Sequence, residues 1–226
     1  LQAPLHLGHP DRLDHRHRAR ADAVARYLSE VGGNPGRAAH APAREASALI
    51  DRTRRLLASL LGNVDPTRII FTPSTTVALN LALKGLLKSG DHVLTTSMEH
   101  NSVLRPLNAM EKLGVSHSQI PCGSNGDLDP ADIPSLIRPH TRLITLLHAS
   151  NVSGNLMPVA EVGKIAQERG LLLLVDAAQT MGKMAIEPEQ QFIDLLAGPG
   201  HKGLLGPMGT GFLYVRPGLE LEPLWE

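Results

Sequence analysis

The chain has 226 residues, enough for one large domain with its own core, and Lys+Arg and Asp+Glu each number 22, so the formal net charge is zero. Neutrality argues against nucleic acid or a membrane surface as partner, and no apolar run approaches the ~20 residues of a membrane-spanning helix. Aromatic residues make up 3% of a chain that is 42% apolar, so Leu, Ile, Val and Ala must build the core; the single cysteine, Cys122, excludes an intrachain disulfide framework and suits a reducing, cytoplasmic compartment.

Residues 1–20 are rich in His, Arg and Pro without an apolar period. They read as an irregular N-terminal arm, and His15-Arg16-His17-Arg18 as a solvated stretch rather than a metal or phosphate patch. No metal site is expected. Residues 21–226 read as one large domain. A helix is expected over 21–30, followed by a turn cluster at 31–36 (VGGNPG). Ala46, Leu49, Ile50, Leu56, Leu57, Leu60 and Leu61 recur at helical spacing and predict an amphipathic helix over 43–61, stopped by Gly62-Asn63.

Strand and helix then alternate. Strands are predicted over 68–72, 92–96, 115–120, 143–148, 171–176, 193–197 and 211–215. Helices are predicted over 75–88, 103–113, 130–137 and 159–169. This rhythm implies a mostly parallel sheet with helices on both faces, a three-layer α/β/α arrangement. Continuous apolar strands such as LLLLV suit a sheet covered on both sides. In such a sheet the working residues lie at the carboxyl ends of the strands.

Each strand is followed by polar residues. After RIIFT comes Pro73-Ser74-Thr75-Thr76, opening a helix; it reads either as an ordinary N-cap or as an anion site of free N–H groups and hydroxyls. After HVLTT comes Ser97-Met98-Glu99-His100, where His100 alone reads as a cap or core residue. After LITLLH comes Asn151, a turn former on its own. After LLLLV come Asp176 and Gln179; an acid ending an apolar strand is costly to bury unless something pairs with it. Last, Lys202 follows His201 in the glycine-rich loop Gly200-His201-Lys202-Gly203, between two apolar strands.

Together these residues match one cofactor, pyridoxal 5′-phosphate. It needs an anion site (Thr75, Thr76), a flat group against its ring (His100), a carboxylate for the ring nitrogen (Asp176), a polar group near the phenolic oxygen (Gln179) and a lysine for its aldehyde (Lys202). A nucleotide-binding doubly wound domain is the competing fold, but no Gly-x-Gly-x-x-Gly follows the first strand.

The motifs PSTTVALNLAL, SMEHNSVLRPL, HASNVSGNLMPV, LVDAAQTMG and GHKGLLGPMGTGFLYV, in that order, resemble those of class V aminotransferase-fold enzymes. The nearest branch is that of cysteine desulfurases and selenocysteine lyases. The resemblance covers about residues 24–226. It implies the large domain of a fold-type-I, pyridoxal-phosphate-dependent homodimer. It assigns Lys202 to the aldehyde, Asp176 to the pyridine nitrogen, His100 to the ring face and Gln179 to the phenolic oxygen. Asn151 falls near the cofactor and the substrate carboxylate, and Thr75, Thr76 and His201 serve the phosphate.

The reaction implied is cysteine to alanine with sulfur held on the enzyme, aided by a sulfur-acceptor protein. The alternatives are another class V aminotransferase or lyase, or a non-catalytic cofactor-binding domain. Pro199 stands where the family carries Ser or Thr for the phosphate. Residues 1–20 show no counterpart of the family's opening strand. The resemblance also implies a second, smaller domain carrying a carboxylate-binding arginine and a sulfur-accepting cysteine, a position Cys122 does not match.

Overall fold

A computed structural model describes residues 10–36 and 40–224, with side chains from residue 18 onward. Seven strands form one sheet: β1 (Ile69–Thr72), β2 (His92–Thr96), β3 (Ser116–Ile120), β4 (Thr141–Leu147), β5 (Leu172–Asp176), β6 (Leu195–Pro199) and β7 (Gly211–Val215). Their order is β1-β7-β6-β5-β4-β2-β3. The pairs β2–β3, β2–β4, β4–β5 and β5–β6 are parallel, whereas β7 runs antiparallel to both β1 and β6. β7 therefore opposes the other strands, whose carboxyl ends share one edge.

The helices are α1 (Pro10–Arg26), α2 (Ala41–Leu60), α3 (Thr75–Leu86), α4 (Asn101–Glu111), α5 (Ile133–Leu136) and α6 (Val159–Glu168). Parallel neighbours require crossovers, and α4, α5 and α6 lie in the β2–β3, β3–β4 and β4–β5 connections. β6 returns into antiparallel β7 without a helix, so its connection, residues 200–210, stays at the carboxyl edge.

Alternation along the strands builds two cores. Val93, Leu143, Leu174, Ala197 and Leu213 pack with α3 (Leu79, Leu83, Leu86) and α4 (Val103, Leu107) on one face. Leu94, Ile144, Leu173, Val175, Leu196 and Phe212 pack with α2 (Leu57), α5 (Ile133) and α6 (Val159, Val162) on the other. Both faces are apolar, which gives the continuous strand runs their physical reason. Each fully buried Leu or Ile contributes about 1.5–3 kcal/mol.

Two expectations are corrected. Residues 10–20 are not an irregular arm: they belong to α1, which continues into a π-helical turn, Tyr27–Val31. Its strongly polar sequence hid it from a search for apolar period. Residues 1–9 lie outside the described residues. The helix expected over 130–137 splits into a 3-10 turn, Pro130–Asp132, and the single helical turn α5, where Pro134 has no N–H to give.

Candidate functional site

At the carboxyl edge of the sheet lies a cavity of about 200 Å3. Its wall includes Thr75, Thr76, His100, Asn151, Asp176, Gln179, His201 and Lys202, the eight residues singled out in the sequence. Ser74, Ser102, Leu147, Ala149, Ala178 and Pro199 complete the lining.

The floor is β5. Asp176 ends this strand and is 4% exposed. Its Oδ1 accepts the Ala178 N–H at 2.8 Å. Burial pushes the Asp176 carboxyl above its ordinary value; that hydrogen bond, and the positive charges available to His100 and Lys202, pull the other way. Among the described residues, that N–H supplies the one hydrogen bond to its carboxylate.

One side is the start of α3. Ser74 is its N-cap and accepts the Val77 N–H at 3.2 Å. Thr75 and Thr76 are the next two residues, whose N–H groups have no acceptor within the helix. Both readings of this stretch therefore hold at once: a cap from Ser74 and free donors behind it. β7 approaches closely here, because a Cβ on Gly211 would stand 2.8 Å from the Ser74 carbonyl carbon. Only glycine lets the strand support the turn at that distance.

The opposite side is the loop of residues 200–210. Gly200 N–H bonds Thr210 O at 2.9 Å, and Leu205 N–H bonds Lys202 O at 2.9 Å. Leu205 is held at φ +60°, a left-handed conformation unusual for leucine. The loop lies on the Met181-Gly182 turn, where a Cβ on Gly182 would meet the Gly203 carbonyl carbon at 2.7 Å. Lys202 itself is exposed, and its amine makes no ion pair with the described residues. The Nδ1 of His201 is buried without a hydrogen-bond partner among the described residues.

His100 is both a cap and a wall residue. It precedes α4, and its Nδ1 accepts the Ser102 N–H at 3.1 Å. Behind it lies Glu99, a residue that reading the sequence passed over. Glu99 Oε1 accepts from Thr96 Oγ1 at 2.8 Å and from the Leu147 N–H at 2.9 Å, while Oε2 is buried without a partner among the described residues. Burial raises its pKa from 4.5 to about 8. Leu147 is the β4 partner of Asp176, so Glu99 braces the strand beside the acidic floor. The one signal available beforehand was an acid between a strand end and His100. Asn151 sits in a turn knit by Ser150 Oγ, which accepts the Val152 and Ser153 N–H groups at 3.2 Å each.

Among the described residues no three His, Cys, Asp or Glu side chains cluster as a metal site, and no helix is long and apolar enough to cross a membrane.

The aminotransferase class-V family model matches residues 16–224. A probable cysteine desulfurase of Methanothermobacter thermautotrophicus is 37% identical over 205 residues, covering 89% of this chain and 51% of the relative. Cysteine desulfurase IscS of Dictyoglomus turgidum is 36% identical over 207 residues, covering 90% of this chain and 52% of the relative. Among solved structures, the apo cysteine desulfurase of Thermococcus onnurineus NA1 superposes with a TM-score of 0.86 at 34% identity, covering 92% of this chain and 53% of that one. SspA in complex with cysteine gives a TM-score of 0.86 at 33% identity, covering 92% of this chain and 60% of that one. The chain spans about half the length of the curated relatives it matches. The α/β sheet is that of the fold-type-I architecture expected from the resemblance.

Proposed function

The chain belongs to the aminotransferase class-V family, and we propose that it is the cofactor-binding large domain of a pyridoxal-phosphate-dependent cysteine desulfurase. The observation that carries this reading is the meeting, in one cavity with a helix N-terminus, of a buried acid, Asp176, and a lysine, Lys202, that makes no ion pair among the described residues.

The residues present fit the group. The free N–H groups and hydroxyls of Thr75 and Thr76 suit a phosphate, and the unpartnered Nδ1 of His201 is a buried polar atom waiting for a polar neighbour. Asp176 suits a protonated ring nitrogen, which would complete the pairing its burial demands. Bound pyridoxal phosphate supplies an electron sink for carbanion chemistry at Cα of an amino acid. Asp176 would supply the carboxylate for that ring nitrogen. Gln179 and Asn151 orient polar groups from the β5 and β4 ends, and Lys202 is the base within reach of the cavity.

Cysteine as substrate, an enzyme-held sulfur, an acceptor protein, a homodimer and a cytoplasmic location all belong to this proposal. For the dimer, Val152, beside Asn151 in sequence, is 87% exposed and Met208, in the loop that carries Lys202, is 86% exposed, apolar surface that a second copy would cover. Relatives named as cysteine desulfurases favour desulfuration over transamination or another lyase step.

The test is direct. Adding pyridoxal phosphate should give a visible absorption band that Lys202→Ala loses. Borohydride reduction should leave the cofactor's mass on a peptide containing Lys202. A label on Lys183 or Lys164 overturns the assignment.

A further inference from the structure

The sheet changes its winding between β2 and β4. From β2 the chain leaves through α4 on one face to reach β3, and from β4 it leaves through α6 on the other face to reach β5. At such a reversal the strand ends part, and the crevice between them is where open α/β sheets bind ligands. Glu99 bridges this seam; it is 8% exposed and does not itself line the cavity.

Neighbouring N–H groups of a strand point to opposite sides. His148 N–H goes to Asp176 O on β5 at 2.9 Å, so the Leu147 N–H faces the β2 side. There β2 has already ended at Thr96. Glu99 Oε1 accepts the Leu147 N–H at 2.9 Å, in the place where a longer β2 would have put a carbonyl. The same oxygen accepts from Thr96 Oγ1, which in turn accepts the Met98 N–H at 3.2 Å. Residues 96–99 are thereby folded into a turn pinned to the end of β4, and His100 is the next residue. The turn has other ties, Ser97 N–H to Ile120 O at 3.1 Å and Ser102 N–H to His100 Nδ1 at 3.1 Å, so it does not depend on Glu99 to exist.

Oε2 has no hydrogen-bond partner among the described residues, and the charged group acting on Glu99 is Asp176, of like sign. An ionised Glu99 would be an unpaired buried charge, so the carboxyl keeps its proton at neutral pH. Burial, the main cause, sets its pKa at about 8. In that form Oε1 is a carbonyl oxygen, as in an amide.

Resting on the proposed site, we propose that Glu99 is a positioning residue. Its Oε1 clips the turn that carries His100 to the Leu147 end of β4, and so fixes the imidazole's place on the cavity wall relative to Asp176.

The test uses the chain with and without pyridoxal phosphate. Glu99→Gln keeps the accepting oxygen, and Glu99→Met keeps the bulk and removes it. Glu99→Asp withdraws the carboxyl by one methylene; it should behave as Glu99→Met and replaces it if that variant does not fold. Without cofactor, the Leu147 amide proton should exchange with solvent about tenfold faster in Glu99→Met, the scale of one hydrogen bond. The His100 ring signal, identified by its loss in His100→Gln, should shift in the same variant. Both readouts should keep their wild-type values in Glu99→Gln. Titrated pyridoxal phosphate should bind Glu99→Met about tenfold more weakly and Glu99→Gln as it binds the wild type. Exchange and ring signal unchanged in Glu99→Met overturn the proposal, as does a Glu99→Gln variant altered as much as Glu99→Met. A shifted ring signal with unaltered cofactor affinity overturns the positioning role. Failure of the wild-type chain to bind pyridoxal phosphate strikes the proposed function instead, and the exchange and ring signals still judge the clip.

Discussion

Two buried groups on opposite edges of the sheet, His92 and Asp176, are partnered differently. At the amino edge, His92 opens β2 and is fully buried. Both of its ring nitrogens have partners, Thr141 Oγ1 at 2.8 Å and Ser118 Oγ at 3.0 Å. At the carboxyl edge, Glu99 Oε2 and His201 Nδ1 are buried without hydrogen-bond partners among the described residues, and Asp176 keeps one hydrogen bond; near the amino edge, His117 Nδ1 likewise makes no hydrogen bond but lies 3.3 Å from Glu111 Oε1. A sheet gains nothing in stability from unpaired buried groups, which cost about 1–3 kcal/mol each. Asp176 and His201 line the cavity and Glu99 stands behind His100, so the incomplete groups there suit a ligand, whereas the completed pairing of His92 serves folding.

The strongest way to break this contrast is Asp176→Ala. If Asp176 serves a ligand, cofactor-dependent exchange of the substrate's Cα proton should fall roughly 10²–10³-fold, as when a site loses a fixed electrostatic group. The melting temperature should hold or rise, because a buried acid is gone. A large loss of stability without a loss of exchange would make Asp176 a structural group like His92.

Glu99 sharpens the contrast through pH. Its pKa is 4.5 ordinarily and about 8 in the fold, so between those values the folded state holds a proton that the unfolded chain has lost. Its contribution is therefore intact below about pH 4.5 and declines as pH rises toward 8. At about 1.4 kcal/mol per pH unit the decline reaches several kcal/mol. Chemical denaturation across this range should show that slope in the wild type and a flatter one in Glu99→Gln. Parallel slopes would mean that Glu99 is ionised in the fold.

His92 should behave in the opposite sense. Burial first, then the charges of Arg138, His140 and His117, lowers its pKa from 6.5 to about 4. The unfolded chain takes up the proton first, so stability falls as pH drops from 6.5 toward 4. His92→Leu should remove that acid-side slope and cost about 1–3 kcal/mol at neutral pH through the bonds it breaks. Pyridoxal phosphate binding should be unchanged. Weakened binding would show that the two edges are coupled.

The smallest expected effect is at Pro199, which ends β6 on the cavity wall opposite Gly211. Pro199→Ser adds a hydroxyl and an N–H where proline has neither. Titration should show pyridoxal phosphate binding about tenfold tighter, the scale of one charge-assisted hydrogen bond. Unchanged affinity would place the phosphate away from this strand end.

Much of this was legible in the chain itself. Alternating apolar runs and glycine stops placed the seven strands to within two residues at each end, because those signals act over a few neighbours. The residues after each strand were readable for the same reason: parallel strands deliver their ends to one edge. Other features belong to distant partners. Glu99 is buried by a bond to Leu147, 48 residues away, and no local pattern encodes that. Ser102 fell just before the expected helix, and only the structure brings its hydroxyl to 2.7 Å from His100 Nδ1. The reversal of β7 came from its pairing with β1 and β6, and the helical state of residues 10–20 lay hidden in their polarity. Local periodicity determined which elements form and which residues end them. Only the tertiary structure decided which polar groups are buried, which find partners and which are left facing the cavity, because burial and pairing depend on residues far apart in the chain.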